Sequence, residues 1–347
     1  MSNVLFLAST PLHTLWALGI ANGAFAGDRC ALALIDQRDG DRDFIAEVLA
    51  EQLPSPFVET CRFAQIGKKP LQKLTHARTR VREVMNYARQ FKADYVAVGN
   101  DRRAEFHAVL AACPNAIGAY LDDGTGSYSA LAAKTVTKSA SVRMVANGFR
   151  SLIYGVPTER EPYLGVSKAV DEAWVMLPNL VHEGLRAKPL RQIHADWFQK
   201  PLVQSICYEA SFRAGLDRRA LDGIQLLLVL PHDNLMRDQP DVRRRLQQLA
   251  DQTLSTGGTV AIKRHPRSQE TMLELPADGY IEIPQRLPLE ILAPVLKGTE
   301  VVGMLTSALI YLRCLGTDVR VSSLMPPNFS DNPIMKIYES VGVQLLR

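Results

Sequence analysis

The chain has 347 residues, of which 47% are hydrophobic and 22% charged, with a formal net charge of +4 and a pI near 8.8. This composition is ordinary for a globular protein and excludes a disordered or low-complexity chain. The positive charge is small and scattered, so it favours an anionic small molecule, a glycan or an anionic membrane face over nucleic acid as a partner. Because one core rarely organises more than about 250–300 residues, we expect two domains.

The cysteines and the N-terminal segment indicate the cellular compartment of the protein. The five cysteines are widely separated, odd in number and without C-x-x-C spacing: Cys30, Cys61, Cys113, Cys207 and Cys314. Free thiols in a reducing compartment are the simplest interpretation. Residues 1–8 lack a basic region, so we expect no secretion signal, and no apolar run approaches the roughly 20 residues of a spanning helix. The prediction is a cytoplasmic protein whose membrane contact is at most peripheral, at the inner membrane.

The first half of the chain alternates short apolar runs with amphipathic segments. The runs predict strands at 4–8, 30–35, 63–66, 94–99 and 116–121, and the amphipathic segments predict helices up to residue 24 and at 43–52, 70–91 and 104–112. Strand and helix in alternation predict a parallel sheet with right-handed crossovers. Residues 130–170 lose this rhythm, so we predict a linker or mobile loop there.

The second half restarts the same alternation. It predicts strands at 172–177, 225–230, 259–263, 280–283, 300–304 and 318–323, and helices at 240–255, 288–296, 307–315 and 332–342. We therefore predict an α/β fold of two Rossmann-like, doubly wound domains facing a central cleft. Residues 1–160 form the first domain and residues 161–347 the second, and the last helix is a candidate to pack back on the first domain.

Polar motifs follow four of the predicted strands. Ligands of open parallel sheets bind beyond the carboxyl ends of the strands. The motifs found there are Asp122-Asp123-Gly124, Pro231-His232-Asp233, His265-Pro266-Arg267 and Thr306-Ser307. Each alone is most often a turn or a helix cap. A carboxylate at such an end can act as general base toward a hydroxyl, and a histidine flanked by cations can hold or protonate a leaving phosphate, so their coincidence predicts a site.

Other ligand classes lack their motifs in this sequence. No G-x-G-x-x-G follows the first strand and no G-x-x-x-x-G-K-[ST] occurs, which argues against dinucleotide and P-loop sites. The histidines show no two-histidine helical spacing with a nearby acid, so we expect no metal. Arg264 and Arg267 suit a nucleotide phosphate without a metal ion, although a solvated face explains them equally well.

Four short motifs occur in a fixed order between residues 122 and 307. They are Asp122-Asp123-Gly124, His265-Pro266, Pro288-Leu289-Glu290 and Thr306-Ser307, preceded by the first-strand loop Ser9-Thr10-Pro11-Leu12-His13. With these motifs the chain resembles bacterial sialyltransferases of the GT-B fold, in particular the lipooligosaccharide sialyltransferases and polysialyltransferases of glycosyltransferase families 52 and 38.

The resemblance implies an inverting, metal-independent transfer. A nonulosonic acid such as sialic acid moves from a CMP-activated donor to a hydroxyl of a bacterial surface glycan, in lipooligosaccharide or capsule polysaccharide. One of Asp122 and Asp123 is then the general base, with Asp122 preferred, and His265 holds the departing phosphate. The expected nucleotide-binding residues are His265, Pro266, Arg264, Thr306, Ser307 and, for the ribose, Glu290. The expected acceptor-binding residues are Thr10, His13, Asn100 and Arg102, and the charges at 100–103 serve equally well as helix caps.

Alternatives remain open for the donor and for activity itself. CMP-Kdo transferases and CDP-glycerol transferases also release CMP and use histidine-proline motifs on this type of fold, and a second histidine motif such as Pro231-His232-Asp233 is typical of the CDP-glycerol enzymes. A catalytically inactive glycan-binding protein is a third reading, against which the intact acid, histidine and hydroxyl positions argue. A homodimer is an open alternative for this chain, and no segment of the sequence locates an interface.

Overall fold

The computed structural model describes residues 1–37, 42–51, 54–64, 70–128, 140–276, 279–316, 318–326 and 332–346. Two compact units divide the chain, Met1–Val203 and Gln204–Arg347. Each unit is built on one parallel sheet flanked by helices. This confirms the predicted pair of doubly wound α/β domains, the architecture of the GT-B type.

The first sheet has seven strands in the order β3-β2-β1-β4-β5-β6-β7. Its strands are β1 (Asn3–Ala8), β2 (Arg29–Gln37), β3 (Phe57–Ala64), β4 (Tyr95–Val98), β5 (Ile117–Leu121), β6 (Glu172–Val175) and β7 (Leu190–Gln192). The interior strand β1 is apolar on both faces, because helices cover both sides of a parallel sheet, and residues 4–7 have no exposed surface. The chain reverses its direction of winding between β1 and β4, and ligands bind at such a switch point.

The second sheet has six strands in the order β10-β9-β8-β11-β12-β13. Its strands are β8 (Ile224–Val229), β9 (Thr259–Lys263), β10 (Tyr280–Ile283), β11 (Glu300–Gly303), β12 (Arg320–Leu324) and β13 (Gln344–Leu346). Every pairing in both sheets is parallel. The winding reverses here between β8 and β11, which makes their carboxyl ends the expected ligand edge of this domain.

The helices of the described residues connect these strands. They are α1 (Pro11–Asn22), α2 (Phe44–Glu51), α3 (Pro70–Phe91), α4 (Ala104–Ala112), α5 (Thr125–Tyr128), α6 (Ala140–Tyr154), α7 (Glu183–Arg186), α8 (Pro201–Arg213), α9 (Arg218–Leu221), α10 (Asp233–Asp238), α11 (Pro240–Ser255), α12 (Ser307–Leu315) and α13 (Pro333–Val341). No helix among the described residues is both long enough and apolar enough to cross a membrane.

The domain boundary lies later than the sequence predicted. The first unit ends at Val203 rather than at residue 160, because β6 pairs with β5 and β7 pairs with β6. The sequence placed the strand near residue 172 in the second domain, since it follows a long segment that lacks the alternation of apolar runs and amphipathic segments. That segment is the crossover from β5 to β6, and α6 lies within it where a linker was predicted.

Two other elements differ from the expectation, while the last helix lies in the domain to which the sequence assigned it. This helix, α13, is the crossover from β12 to β13 within the second sheet. It begins at the Asn332 cap and ends at Gly342, whose φ of 77° suits glycine. The helix predicted at 288–296 is a single 3₁₀ turn, Leu289–Leu292, and β3 begins at Phe57, before the predicted start.

Candidate functional site

The Asp-Asp-Gly motif ends β5 and turns the chain toward α5. Gly124 has a φ of 68°, a left-handed conformation that favours glycine and explains the third residue of the motif. The turn is held by the Ser127 hydroxyl, which accepts the backbone N–H of Asp123 at 3.1 Å. The two aspartates thus leave the same strand end in different directions, and their environments differ.

Asp122 is buried and forms hydrogen bonds within the first domain. Its side chain has no exposed surface, and its Oδ2 accepts both the Tyr128 hydroxyl and the backbone N–H of Met176 at 3.0 Å. Its own N–H donates to the Trp174 carbonyl at 2.9 Å. Asp122 therefore ties the end of β5 to the end of β6, a structural role that leaves little access for a substrate hydroxyl.

Asp123 is the accessible member of the pair. Its side chain is 27% exposed, and its Oδ1 lies 2.9 Å from Nε2 of His13, a side chain only 1% exposed. The backbone N–H of Ser9 donates to His13 Nδ1 at 3.4 Å, and the Ser9 hydroxyl lies 3.2 Å from the same atom. Since a backbone amide only donates, neutral His13 carries its proton on Nε2 and donates it to Asp123.

The geometry thus favours Asp123 over Asp122, the reverse of the order expected from the sequence. Within the described residues no hydrogen bond reaches Oδ2 of Asp123. One oxygen of this carboxylate is therefore oriented by a buried histidine while the other is available. This is the arrangement that a general base needs, because the orienting group fixes the acceptor lone pairs.

Gly99 is a residue of the candidate site that sequence reasoning missed. A Cβ atom at this position would lie 2.1 Å from Nε2 of His13, so the imidazole packs directly on the Gly99 backbone. The one signal in the sequence was a glycine at the end of a predicted strand. Gly99 follows β4 on the ligand edge, and its missing side chain creates the space through which His13 reaches Asp123.

The other predicted acceptor residues have mainly local partners. Thr10 caps α1, where its hydroxyl accepts the N–H of His13 at 3.3 Å, and Asn100 accepts the N–H of Arg102 at 3.1 Å. The Arg102 guanidinium donates to the Pro162 carbonyl at 2.6 Å. Thr10 thus places His13, while Arg102 connects the loop after β4 to the segment before β6.

Four arginines crowd together in the first domain. Burial, and then the neighbouring cations Arg150, Arg102 and Arg103, lower the pKa of Arg160. Arg103 is partly neutralised by Asp36, 2.5 Å away. Arg102 and Arg103 immediately follow the Gly99 end of β4. Two arginines of the cluster, Arg102 and Arg103, are on the loop that also carries part of the candidate site, and the other two come from α6 and from the segment that follows it.

In the second domain, three candidate loops leave neighbouring strands at the same level. Val229 of β8 is level with Lys263 of β9 and with Gly303 of β11. Since adjacent strands lie about 4.8 Å apart, the loops that follow are neighbours at the ligand edge. The sheet order thus brings together His265-Pro266, His232 and Thr306-Ser307, with His232 in the middle.

His265 is held by its own loop. Its Nδ1 accepts the N–H of Arg267 at 3.1 Å, and the Gln285 amide donates to the carbonyls of His265 and Ser268, at 3.2 and 2.8 Å. Pro266 lies in the exposed turn between them. Burial, followed by the charges of His232 and Arg267, lowers the pKa of His265. At neutral pH the ring is mainly neutral, with its proton on Nε2.

Arg264 has a structural partner. Its guanidinium pairs with Glu282 of β10, with Nε 2.6 Å from the carboxylate, and also donates to the Gln269 carbonyl at 3.3 Å. A guanidinium already paired in this way is largely neutralised. The neighbouring Arg267 is exposed on the histidine-proline turn. Arg267 is therefore a better placed cation for a phosphate than Arg264.

Lys263, the last residue of β9, and Glu290 are both buried and interact electrostatically. Burial lowers the pKa of Lys263 to about 7 and raises the pKa of Glu290. The Lys263 amine donates to the carbonyls of Pro284 and Leu287, at 2.5 and 2.7 Å. Lys263 thereby fixes the segment that leads from β10 to Glu290. The Glu290 side chain is only 7% exposed, so the expected contact with ribose hydroxyls stays a prediction.

Thr306 and Ser307 open α12 directly after β11. Thr306 is the N-cap and its hydroxyl accepts the N–H of Ala308 at 3.3 Å, so Ser307 is the first helical residue and its hydroxyl is not needed as the cap. Tyr338 of α13 accepts the N–H of Thr306 and donates to its carbonyl. Leu305, with a φ of 51°, holds a strained backbone at this turn, a feature that is frequent at ligand sites.

Comparisons with known proteins bear on the family and the fold. A family model described as alpha-2,8-polysialyltransferase (POLYST) matches residues 45–325. No curated protein matches at a significant level. The solved UDP-GlcNAc 2-epimerase from Neisseria meningitidis bound to UDP-GlcNAc is similar over 99% of this chain and 86% of that chain, with 12% identity and a TM-score of 0.50.

Two further solved structures are similar over comparable lengths. The UDP-GlcNAc 2-epimerase from Methanocaldococcus jannaschii covers 99% of this chain and 88% of its own, with 10% identity and a TM-score of 0.48. The ADP-heptose LPS heptosyltransferase II from E. coli covers 100% and 90%, with 9% identity and a TM-score of 0.45. At these identities the likeness concerns the fold alone.

Proposed function

We propose that this chain moves a nonulosonic acid from a CMP-activated donor to a hydroxyl of a surface-glycan acceptor. The premise is that the chain belongs to the alpha-2,8-polysialyltransferase family and is a glycosyltransferase. The transfer inverts the anomeric centre and requires neither a metal nor another cofactor. The observation that carries this proposal is the partly exposed Asp123 carboxylate, oriented by the buried His13 at the ligand edge of the first sheet.

Asp123 is the proposed general base. As the acceptor oxygen forms its bond to the anomeric carbon, Oδ2 of Asp123 takes the hydroxyl proton, and the His13 N–H stays on Oδ1. The bond between the anomeric carbon and the CMP phosphate breaks at the same time, and its electron pair remains on the phosphate oxygen. Direct displacement by the acceptor accounts for the inversion.

The second domain is proposed to receive the nucleotide. Nε2 of His265 donates to the departing phosphate, and the first-turn amides of α12 with the Ser307 hydroxyl suit the same anion. Thr306 and Pro266 belong to the turns on either side of His232, and Glu290 is proposed for the ribose. Arg264, paired with Glu282, is proposed to stabilise the histidine-proline loop, whereas Arg267 is proposed to contribute its positive charge to phosphate binding.

The acceptor is proposed to carry negative charge. The arginine cluster of Arg102, Arg103, Arg150 and Arg160 includes the loop that follows Gly99, and its cations repel one another. An anionic acceptor relieves this repulsion, since charges of opposite sign attract most strongly where water is partly excluded. The cluster therefore favours a glycan that already bears acidic sugars.

Calorimetric titration with CMP, CDP, UDP and GDP in the presence of EDTA tests the nucleotide. We expect CMP to bind tightest, and without metal. A preference for UDP or GDP, or a requirement for a divalent cation, would contradict the proposal. Tighter binding of CDP would favour the CDP-glycerol alternative. If the protein binds CMP, it is then assayed with CMP-sialic acid, CMP-Kdo and CDP-glycerol, because all three donors release CMP. No transfer to a broad acceptor panel would favour a binding protein.

An exposed apolar face on α6 is proposed to contact an anionic membrane surface. Its side chains Val142, Met144, Val145, Phe149 and Leu152 are 49% to 74% exposed. The same helix carries Arg143 and Arg150, and Arg150 belongs to the arginine cluster. An amphipathic helix with cations beside its apolar face is typical of interfacial membrane binding, which combines apolar burial with attraction to anionic lipids. The positive charges of Arg143 and Arg150 complement an anionic lipid surface, and this favours a membrane as the partner of the apolar face.

The Phe149→Ser, Leu152→Ser double variant tests this surface. We expect the wild type to sediment with vesicles containing phosphatidylglycerol, less so at high salt, and the double variant to remain in the supernatant. Val58→Ser, at a side chain that is 58% exposed in β3, is the matched control and should bind like the wild type. Unchanged vesicle binding by the double variant, with a lower oligomeric mass in light scattering, would instead identify an interface between two copies.

A further inference from the structure

Two histidine rings meet at the ligand edge of the second sheet. His232 follows β8 and His265 follows β9, and their rings lie edge to face, with centroids 5.3 Å apart and an interplanar angle of 76°. In His232, Nδ1 accepts the N–H of Asn234 at 3.2 Å, and in His265 it accepts the N–H of Arg267 at 3.1 Å. Because a backbone amide only donates, both neutral rings carry their proton on Nε2.

The position of His232 in the sheet suits a ligand. It follows β8, which lies between β9 and β11, so it stands between the histidine-proline turn and the Thr306-Ser307 turn. The crevice between β8 and β11 is also the switch point of this domain. Within the described residues no hydrogen bond involves Nε2 of either histidine. Both rings therefore have a donor still to satisfy, and both donors belong to neighbouring loops.

A capping role explains only half of this arrangement. His232 caps α10 through Nδ1, a task for which Asn, Asp or Ser is usual and needs no ring. The capping role accounts neither for the second donor nor for the contact with His265. The two loops are also fastened together, since Oδ2 of Asp233 accepts the N–H of Gln269 at 2.9 Å. This bond occupies one oxygen of the Asp233 carboxylate and joins the loops that carry the two rings.

We propose that His232 and His265 form one two-histidine anion site, in which Nε2–H of both rings donates to the phosphate that leaves with the nucleotide. The identity of that nucleotide rests on the proposed function. As the bond from the anomeric carbon to the phosphate oxygen breaks, the electron pair stays on this oxygen, and two preorganised donors stabilise the growing charge. His232 is thus a second catalytic residue of the leaving-group side, outside the four motifs.

Two substitutions separate the capping role of His232 from the proposed phosphate contact. His232→Asn keeps an acceptor where Nδ1 caps α10 but removes the outer N–H. His232→Gln places an amide N–H where Nε2 lies. We expect His232→Asn to weaken CMP binding about tenfold or more in calorimetry, since a hydrogen bond to a charged group contributes roughly 1.5–3 kcal/mol and 1.4 kcal/mol is a factor of ten. His232→Gln should bind CMP more tightly than His232→Asn.

Cytidine, which lacks the phosphate, is the matched ligand. Its affinity should be the same for the wild type and both variants. Wild-type affinity of His232→Asn for CMP would overturn the proposal, and so would an equal loss of CMP and cytidine binding. If the wild type prefers another nucleotide, the proposed function fails. The wild type and His232→Asn are then compared with inorganic phosphate: weaker binding by the variant supports the two-histidine site, and equal binding or none overturns it.

Discussion

Asp123→Asn should lower the rate of transfer by about 10²- to 10⁴-fold, the usual loss when a general base is removed. The asparagine amide still reaches His13 but takes no proton from an acceptor hydroxyl. CMP binding should be unchanged, because the nucleotide is assigned to the second domain. Initial rates of sugar transfer and calorimetric CMP binding, measured on the same preparation, test both statements.

Asp122→Asn is the matched control for this prediction. It changes a carboxylate that accepts Tyr128 and Met176 inside the first domain, so the expected effect is on stability. The loss of one buried carboxyl acceptor should lower the free energy of unfolding by about 1–3 kcal/mol. Below its melting temperature this variant should still catalyse transfer. An inactive but normally stable Asp122→Asn protein, beside an active Asp123→Asn protein, would assign the base to Asp122 instead.

His265→Asn should weaken CMP binding and also slow sugar transfer. The asparagine oxygen replaces Nδ1 as the acceptor for Arg267, so the turn is kept while the outer N–H is lost. We expect CMP to bind about tenfold to a hundredfold more weakly, and transfer to fall by at least the same factor, because the phosphate carries more charge as it leaves.

His194→Gln provides the control for the loss of an imidazole. His194 is an exposed residue of the first domain that precedes the 3₁₀ turn Ala195–Gln199, outside the candidate sites. Its substitution should change neither CMP affinity nor transfer. Full CMP affinity in His265→Asn would remove the histidine-proline motif from the nucleotide site and, with it, the leaving-group half of the mechanism.

Much of the fold could be predicted from residue patterns. Parallel strands covered on both faces must be apolar throughout, so runs such as Leu226–Val229 stood out, and the alternation with amphipathic segments predicted the two doubly wound domains. The family resemblance was confirmed by the match over residues 45–325. The boundary differs because the strand predicted at 172–177 is β6, which pairs with β5 of the first sheet, and because the three-residue edge strand β7, Leu190–Gln192, has no periodicity to detect.

The sequence by itself determined which chemical groups end the strands, because the carboxyl ends of parallel strands share one edge whatever the helices between them do. Only the tertiary structure decided how those groups are used. Asp122 and Asp123 are adjacent in the chain, yet one points into the domain toward Tyr128 and the other toward His13, 110 positions away. That choice depends on packing across β1, β4 and β5, and on the space that Gly99 leaves for a buried imidazole. A local motif cannot encode this contact, since its energy comes from residues that only the sheet brings together.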